Sequence, residues 1–364
     1  MGFRNTCILI ISLLLIIGVA SKVTSMKKQE GAFAKSQLSA EQFILEHFMK
    51  KDGRIQTDLL GQSDVYLSET VGLWMEYLLA KDDVKQFDQQ VHVLEEHFLT
   101  KDYLVTWEVR GMASAPANAS IDDLRIMNAL FEAGRKWNKT AYTKLALKMG
   151  EGLGNYQING GLMVDYIDLK SKYQGTTITL SYIIPSAFDF LKENNFIPQR
   201  IYDDTVSLLV EIPYTSLGFF PKAYDIKTKH FSYDEEVNLI DQYYIGYHRA
   251  QWGGDVMPLL DFTKEAFSKG NGKLYGRYDS KTGTPLVDYE APAVYALAIL
   301  MCLEIGEADM ARALLAQMQT LQQMDETEEY YGGYIDVPTL DTHTFDNLLA
   351  LLAERKGIDE EVFR

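Results

Sequence analysis

From Ser39 onward, apolar residues recur at spacings of three and four along the chain, the period of one helix face. The pattern predicts helices at 40–51, 69–81, 84–99, 122–136, 139–153, 181–194, 201–211, 236–250, 256–268, 290–305, 308–323 and 342–355. In the fourth of these, Ile126, Leu130, Ala133 and Trp137 fall on one stripe. Strand-like stretches are short: LVTWEVRG at 104–111, GGLMVDYIDL at 160–169 and YYGGYIDV at 330–337. They do not alternate with the helices as a parallel sheet would require. The expected class is all-α with short peripheral strands. About twelve helices with long loops between alternate pairs suit a toroid of six helical hairpins, an (α/α)6 barrel. An irregular helical array fits the same count, whereas the lack of a strict sequence repeat argues against a regular solenoid.

The N-terminus follows a different pattern. Arg4 precedes an apolar run from Cys7 to Ala20, too short for a membrane span and the right length for a signal-peptide core. Residues 1–25 are expected to be an export signal or an uncleaved membrane anchor, residues 26–38 a flexible tether, and residues 39–360 a single catalytic domain. Cys7 stands at the start of the apolar run, where a lipoprotein cysteine would follow it. This organisation predicts a secreted or extracytoplasmic protein, anchored at the membrane if the segment stays on.

Charge narrows the partners. The formal net charge is -16, and loss of Arg4 and Lys22 with the signal would take it to -18. Such a surface disfavours nucleic acid and anionic membranes. Cys7 and Cys302 are the only cysteines, the six histidines contain no HExxH pair, and neither a metal nor a cofactor is expected. The chain is expected to be a monomer.

Two stretches carry candidate chemistry. In LSETVGLWM, Ser68 can cap a helix and leave Glu69 in its first turn, where the dipole favours a carboxylate. Alternatively, Trp74, Met75 and Tyr77 surround Glu69 with apolar material, which raises a carboxylic acid's pKa and suits a general acid. In ANASIDDLRIMNAL, Asp122 or Asp123 can cap the next helix, and Asp123 shares a face with Ile126 and Leu130. Two carboxylates at separate helix starts, with aromatic residues nearby, meet the needs of glycoside hydrolysis.

These motifs resemble glycoside hydrolase family 8, as a divergent member of the exopolysaccharide-associated type. Ser68-Glu69, Gly72 and Met75 are similar to that family's acid motif SEGxGYGM, with Phe87-Asp88 and LVTW at 104–107 following. Ala119-Ser120, Asp123, Ile126, Ala129-Leu130, Ala133 and Trp137 resemble its signature A-S/T-D-A/G-D-x-x-I-A-x-A-L-x-x-A-x-x-x-W. SYIIP at 181–185, GFFP at 218–221 and Arg249 with Trp252 continue in order. The resemblance implies the (α/α)6 barrel and inverting endo-hydrolysis of a β-linked polysaccharide. It also implies Glu69 as general acid and Asp123 as a substrate-positioning carboxylate.

The chain departs from the pattern in two places. Ile121 replaces the signature's first Asp, and Asp122 fills its small position. Against the family's Y-D-A-x-R base stretch, Ile245 to Arg249 puts Gly246 where Asp is expected. Asp241 is the first substitute for the base and Asp225 the second; the absence of an ordinary base is the third possibility. Trp107, Asp122, Tyr182, Tyr244, Tyr247, Arg249 and Trp252 are the expected substrate-binding set, with Arg249 orienting a carboxylate and the rings covering sugar faces. The partner expected is an exopolysaccharide, with its synthesis machinery as a further candidate. The alternative function is a polysaccharide-binding or processing protein that keeps the cleft without hydrolysis.

Overall fold

A computed structural model describes residues 38–62 and 64–363. The proposed signal and all but the last residue of the tether lie outside this range. Twelve α-helices occur among the described residues: α1 Ser39–Phe43, α2 Ser68–Lys81, α3 Val84–Val93, α4 Ser120–Lys136, α5 Thr140–Tyr156, α6 Pro185–Glu193, α7 Gln199–Val210, α8 Leu239–Gln251, α9 Met257–Lys269, α10 Pro292–Glu304, α11 Ala308–Gln319 and α12 Thr344–Asp359. All twelve predicted helices have a counterpart. None is long and apolar enough to cross a membrane.

The even-numbered helices form the interior. α2 touches α4, α4 touches α6, and so on through α8, α10 and α12, which returns to α2. Their burial explains their sequences. α10 is AVYALAILMCL from Ala293 to Leu303, buried at every position, because it is covered by α8, α11 and α12. Cys302 is a buried free thiol within it.

α1 and α3 end alike. Each runs into a five-residue π-helical turn, Ile44–Phe48 (ILEHF) and Leu94–Phe98 (LEEHF). Each is then followed by an isolated bridge, Met49 to Ile55 and Leu99 to Val105. This is a local repeat of structure that the sequence reading missed.

Short strands pin the starts of the interior helices. β1 (Val65–Leu67) runs directly into α2 and pairs antiparallel with β2 (Glu108–Arg110), with Leu67 opposite Glu108. β2 also pairs with β3 (Ala113–Ser114), and β4 (Ile158–Asn159) with β5 (Leu162–Met163). β6 (Thr177–Thr179) leads into the 3-10 turn Leu180–Tyr182 and pairs with β7 (Ala223–Asp225), which pairs with β8 (His230–Ser232). β9 (Glu236–Asn238) runs into α8 and pairs with β10 (Arg277–Asp279). Bridges Ala117–Asp168 and Asp58–His343 join further neighbours. The segments entering the interior helices are thus stitched side by side. The expected strand at 330–337 forms only isolated bridges at Tyr334 and Asp336.

Candidate active site

The stitched end brings the first turns of the interior helices together. Acidic residues occupy those turns: Glu69 in α2, Asp122 and Asp123 in α4, Asp241 in α8 and Asp346 in α12. A helix N-terminus favours carboxylates, while withdrawal from water opposes their charge.

Glu69 is half-buried. Loss of water pushes its pKa up to about 8; the neighbouring Asp122 charge adds to this and Arg125 opposes it. Its carboxyl makes no hydrogen bond among the described residues. The capping role expected for Ser68 is not realised: it opens α2, Leu67 holds the cap position, and no side chain caps the helix. Instead the Ser68 hydroxyl donates to Asp122 Oδ2 at 2.6 Å.

The two aspartates of α4 separate by environment. Asp122 accepts from Ser68 and from Arg125 Nη1, at 3.3 Å on its Oδ1, and its charge is felt at Glu69. Asp123 is wholly buried. Its Oδ1 accepts the Val105 N–H at 2.8 Å and its Oδ2 accepts from Asn118 Nδ2 at 2.9 Å. Where the sequence led us to expect a substrate-positioning carboxylate, both oxygens of Asp123 are engaged in holding Val105 and Asn118. Neither aspartate caps α4, whose cap residue is Ala119.

Asp241 lies in the first turn of α8. Its Oδ1 accepts from Ser181 Oγ at 3.4 Å, and Lys222 Nζ is 3.5 Å from its Oδ2. Burial raises its pKa and Lys222 opposes the rise. Gly246, the position first aligned with the base, has no room for a carboxylate. A Cβ there would stand 2.6 Å from Met301 Sδ and 3.0 Å from Leu259 Cδ2. Asp225 is occupied by its own turn, accepting from the Lys227 and Thr228 N–H groups and from Thr176 Oγ1. Those bonds hold its pKa below the usual value.

Tyr182 ties the group together. Burial pushes its hydroxyl up to about 12, with further contributions from the charges of Asp122, Asp165, Glu69 and Asp241. One phenol therefore senses carboxylates from α2, α4 and α8. Asp165 and Asp346 were missed by the sequence reading. Asp165 accepts from the Thr179 N–H and hydroxyl at 2.6 and 2.7 Å. Asp346 accepts the Ala293 N–H at 2.9 Å and contributes to the shift at Glu69. The signal for Asp346 was available: Thr344-Phe345-Asp346 places an acid third in its helix, as in Leu239-Ile240-Asp241.

Four expected binding residues lie elsewhere or do other work. Arg249 is buried, and its Nε and Nη1 donate to the carbonyls of Asp255 and Leu209 at 2.7 and 2.8 Å, so it braces backbone rather than a carboxylate. Trp252 follows the C-terminus of α8, at the opposite end of that helix from Asp241, and packs on Phe188 and Tyr202. Tyr244 and Tyr247 line a separate cavity lower along the helices, where they meet Arg125 and Lys356. Trp107 stays exposed at 40%, and its carbonyl accepts the Ser68 N–H at 3.0 Å.

The pattern of Glycosyl hydrolases family 8 matches residues 19–244. The chain is 38% identical to "Putative lipoprotein YdaJ" of Bacillus subtilis (strain 168), over 99% of this chain and 100% of that one. A solved structure described as a novel alpha-amylase from Clostridium perfringens is 26% identical with a TM-score of 0.81, covering 87% of this chain and 96% of that one. PssZ from Listeria monocytogenes is 26% identical with a TM-score of 0.73, covering 88% and 96%. With its acidic first turns gathered at one end of the interior helices, the chain belongs to glycosyl hydrolase family 8, and it is a glycoside hydrolase acting on polysaccharide.

Proposed function

We propose that the protein is an extracytoplasmic, inverting endo-hydrolase of a β-linked exopolysaccharide, built on an (α/α)6 barrel. Glu69 is the general acid and Asp241 the general base. The observation that carries this is the Glu69 carboxyl: it has no hydrogen-bond partner among the described residues, and its raised pKa keeps a proton available at neutral pH. Asp241 lies within electrostatic reach of the same Tyr182. Lys222 beside it holds more of it ionised, as a base requires.

The first turn of α8 also favours a revised alignment. Ile240-Asp241-Gln242-Tyr243-Tyr244 can be set against Y-D-A-x-R with Asp241 on the Asp. Tyr244 then falls where the Arg stands, and Arg125 brings a guanidinium 3.3 Å from its hydroxyl. Asp122 is the third carboxylate, keeping Glu69 protonated. Trp107, Tyr166, Tyr173, Tyr214, Tyr233 and Tyr289 are exposed, and all stand in the segments entering interior helices, a disposition suited to a long polymer. The YdaJ relative's description as a lipoprotein agrees with action outside the cytoplasm.

A second reading has the same acid and base acting on an α-linked glucan, favoured by the relative described as an alpha-amylase. Incubation with hydroxyethyl cellulose, xylan, soluble starch and exopolysaccharide from a producing culture separates the two. The proposal expects new reducing ends from a β-linked polymer, released with inverted anomeric configuration and at a rate cut by roughly a hundredfold or more in Glu69→Gln. Reducing ends from starch alone would transfer it to the second reading. Hydrolysis undiminished in Glu69→Gln would end both.

A further inference from the structure

Beneath the acidic first turns runs a cavity of about 340 Å³. Its wall includes Glu76 from α2, Arg125 from α4, Tyr244 and His248 from α8, and Lys356 from α12. Ala80, Asp359 and Glu360 line it where α2 and α12 end, and all three are exposed there. The cavity therefore meets solvent at the end opposite Glu69.

Arg125 forms its ceiling. Only 3% of its side chain is exposed, yet it carries a full charge among three polar partners. Nη1 reaches Asp122 Oδ1 at 3.3 Å, Nη2 reaches the Tyr244 hydroxyl at 3.3 Å, and Nε stands 3.6 Å from Glu76 Oε2. Its stem lies across α2 at Gly72, where a Cβ would come within 2.8 Å of Arg125 Cδ. Glu76 lies seven residues after Glu69, two helical turns lower. Arg125 thus has one carboxylate above it in the site and one below it in the cavity.

We propose that Glu76 and Arg125 are positioning residues for the reaction: Arg125 acts on Glu69 and Asp122 from beneath the cleft, and Glu76 sets how strongly. The inference rests on the reading of Glu69 as the acid.

The other groups facing Glu76 leave Arg125 as its main cationic partner. From α8, burial brings His248 down to about 3, so it is neutral, and raises the Tyr244 and Tyr247 hydroxyls. From α12, Lys356 is matched by Glu304 at 2.9 Å and Glu360 at 3.6 Å, and Asp359 is paired with Arg355 at 2.8 Å. Withdrawal from bulk water pushes Glu76 up to about 7, with Arg125 opposing. Below that pH Glu76 is neutral and the Arg125 charge bears fully on the site. Above it Glu76 is ionised and draws on the same charge, so Glu69 keeps its proton to higher pH.

The test reads Glu69 directly and needs no substrate. Chain labelled with ¹³C at the glutamate carboxyl is titrated by NMR, and the Glu69 signal is assigned by its loss in Glu69→Gln. Glu76→Gln is expected to lower the Glu69 midpoint by roughly half a pH unit or more. Arg125→Gln is expected to raise it, and Arg125→Lys to restore most of the original value. In an Arg125→Gln background, Glu76→Gln is expected to have little further effect. Shifts in the same direction for both single variants, or no shift in Glu76→Gln, would overturn the proposal. Should Arg125→Gln fail to fold, Glu76→Gln decides alone. If the midpoints move as stated while Glu69→Gln still hydrolyses polymer, the electrostatic coupling stands and the assignment of Glu69 falls.

Discussion

Ser68 donates its hydroxyl to Asp122 at 2.6 Å, which ties the first turn of α2 to the first turn of α4. The residue just before the proposed acid thereby fixes the carboxylate that helps keep that acid protonated. Burial raises the pKa of Asp122, and Arg125 and this hydrogen bond oppose the rise. Ser68→Ala is expected to let Asp122 pick up a proton more readily and weaken its hold on Glu69. A charge-assisted hydrogen bond of this kind is worth about 1.5 kcal/mol or more, roughly tenfold in rate. Steady-state kcat/KM against pH checks this; an unchanged profile with unchanged rate would remove Asp122 from the mechanism.

Glu69→Gln is expected to cut hydrolysis by roughly 10²–10⁴-fold, the usual contribution of a general acid. It should also change stability in a pH-dependent way. The folded-state pKa of Glu69, about 8, lies above its ordinary value of 4.5. Its contribution to stability is therefore complete below pH 4.5 and is lost as pH rises through 8. The variant should gain melting temperature relative to wild type at pH 8.5 and not at pH 4.5, by thermal unfolding followed with circular dichroism.

Lys222→Gln is expected to raise the pKa of Asp241, because Lys222 is the cation that lowers it. A base must be ionised, so the acidic limb of kcat/KM should move to higher pH while the alkaline limb stays. Asp241→Asn should abolish hydrolysis and retain polymer binding, measured by affinity electrophoresis. A Lys222→Gln profile superimposable on wild type would argue that Asp241 does not titrate in the rate.

Asp123→Ala is expected to destabilise rather than inactivate. It leaves the buried Val105 N–H and one of the two Asn118 amide N–H groups without an acceptor, the other still reaching Gln157 Oε1, at a cost of roughly 1–3 kcal/mol for each unsatisfied group. Denaturant unfolding should show the loss, and activity well below the melting transition should persist. Inactivation with undiminished stability would return Asp123 to the site.

The helices were legible in the sequence because burial on one side imposes the three-and-four spacing, and all twelve were found near their predicted positions. Glu69 stood out as a candidate because its S-E-x-x-G-x-x-M spacing coincides with a helix start, and the structure places it in that helix's first turn. The division of labour between Asp122 and Asp123 was not legible. Adjacent residues on a helix point about 100° apart, and only the tertiary packing decides that Asp123 meets Val105 while Asp122 meets Ser68 and Arg125. Gly246 misled for a related reason. A pattern match placed it at the base, whereas Met301 fills the space its side chain would need. Arg249 resembled a carboxylate clamp, but nothing local announces that carbonyls from distant segments consume its donors. Asp346 waited for its neighbour Ala293, a contact between residues far apart in sequence.

That same distance governs how the chain comes into being. The last interior helix, α12, docks on the first, α2, and the Thr344 N–H donates to Thr57 O at 2.9 Å across 287 positions of sequence. A chain emerging from the ribosome makes α2 early and cannot seal it until residue 344 and its helix have followed. Until then the apolar flanks of α2 and α10 lack their shared partner α12 and stay open to other chains. A stop codon near residue 340 would therefore give an aggregating arc, not a smaller enzyme.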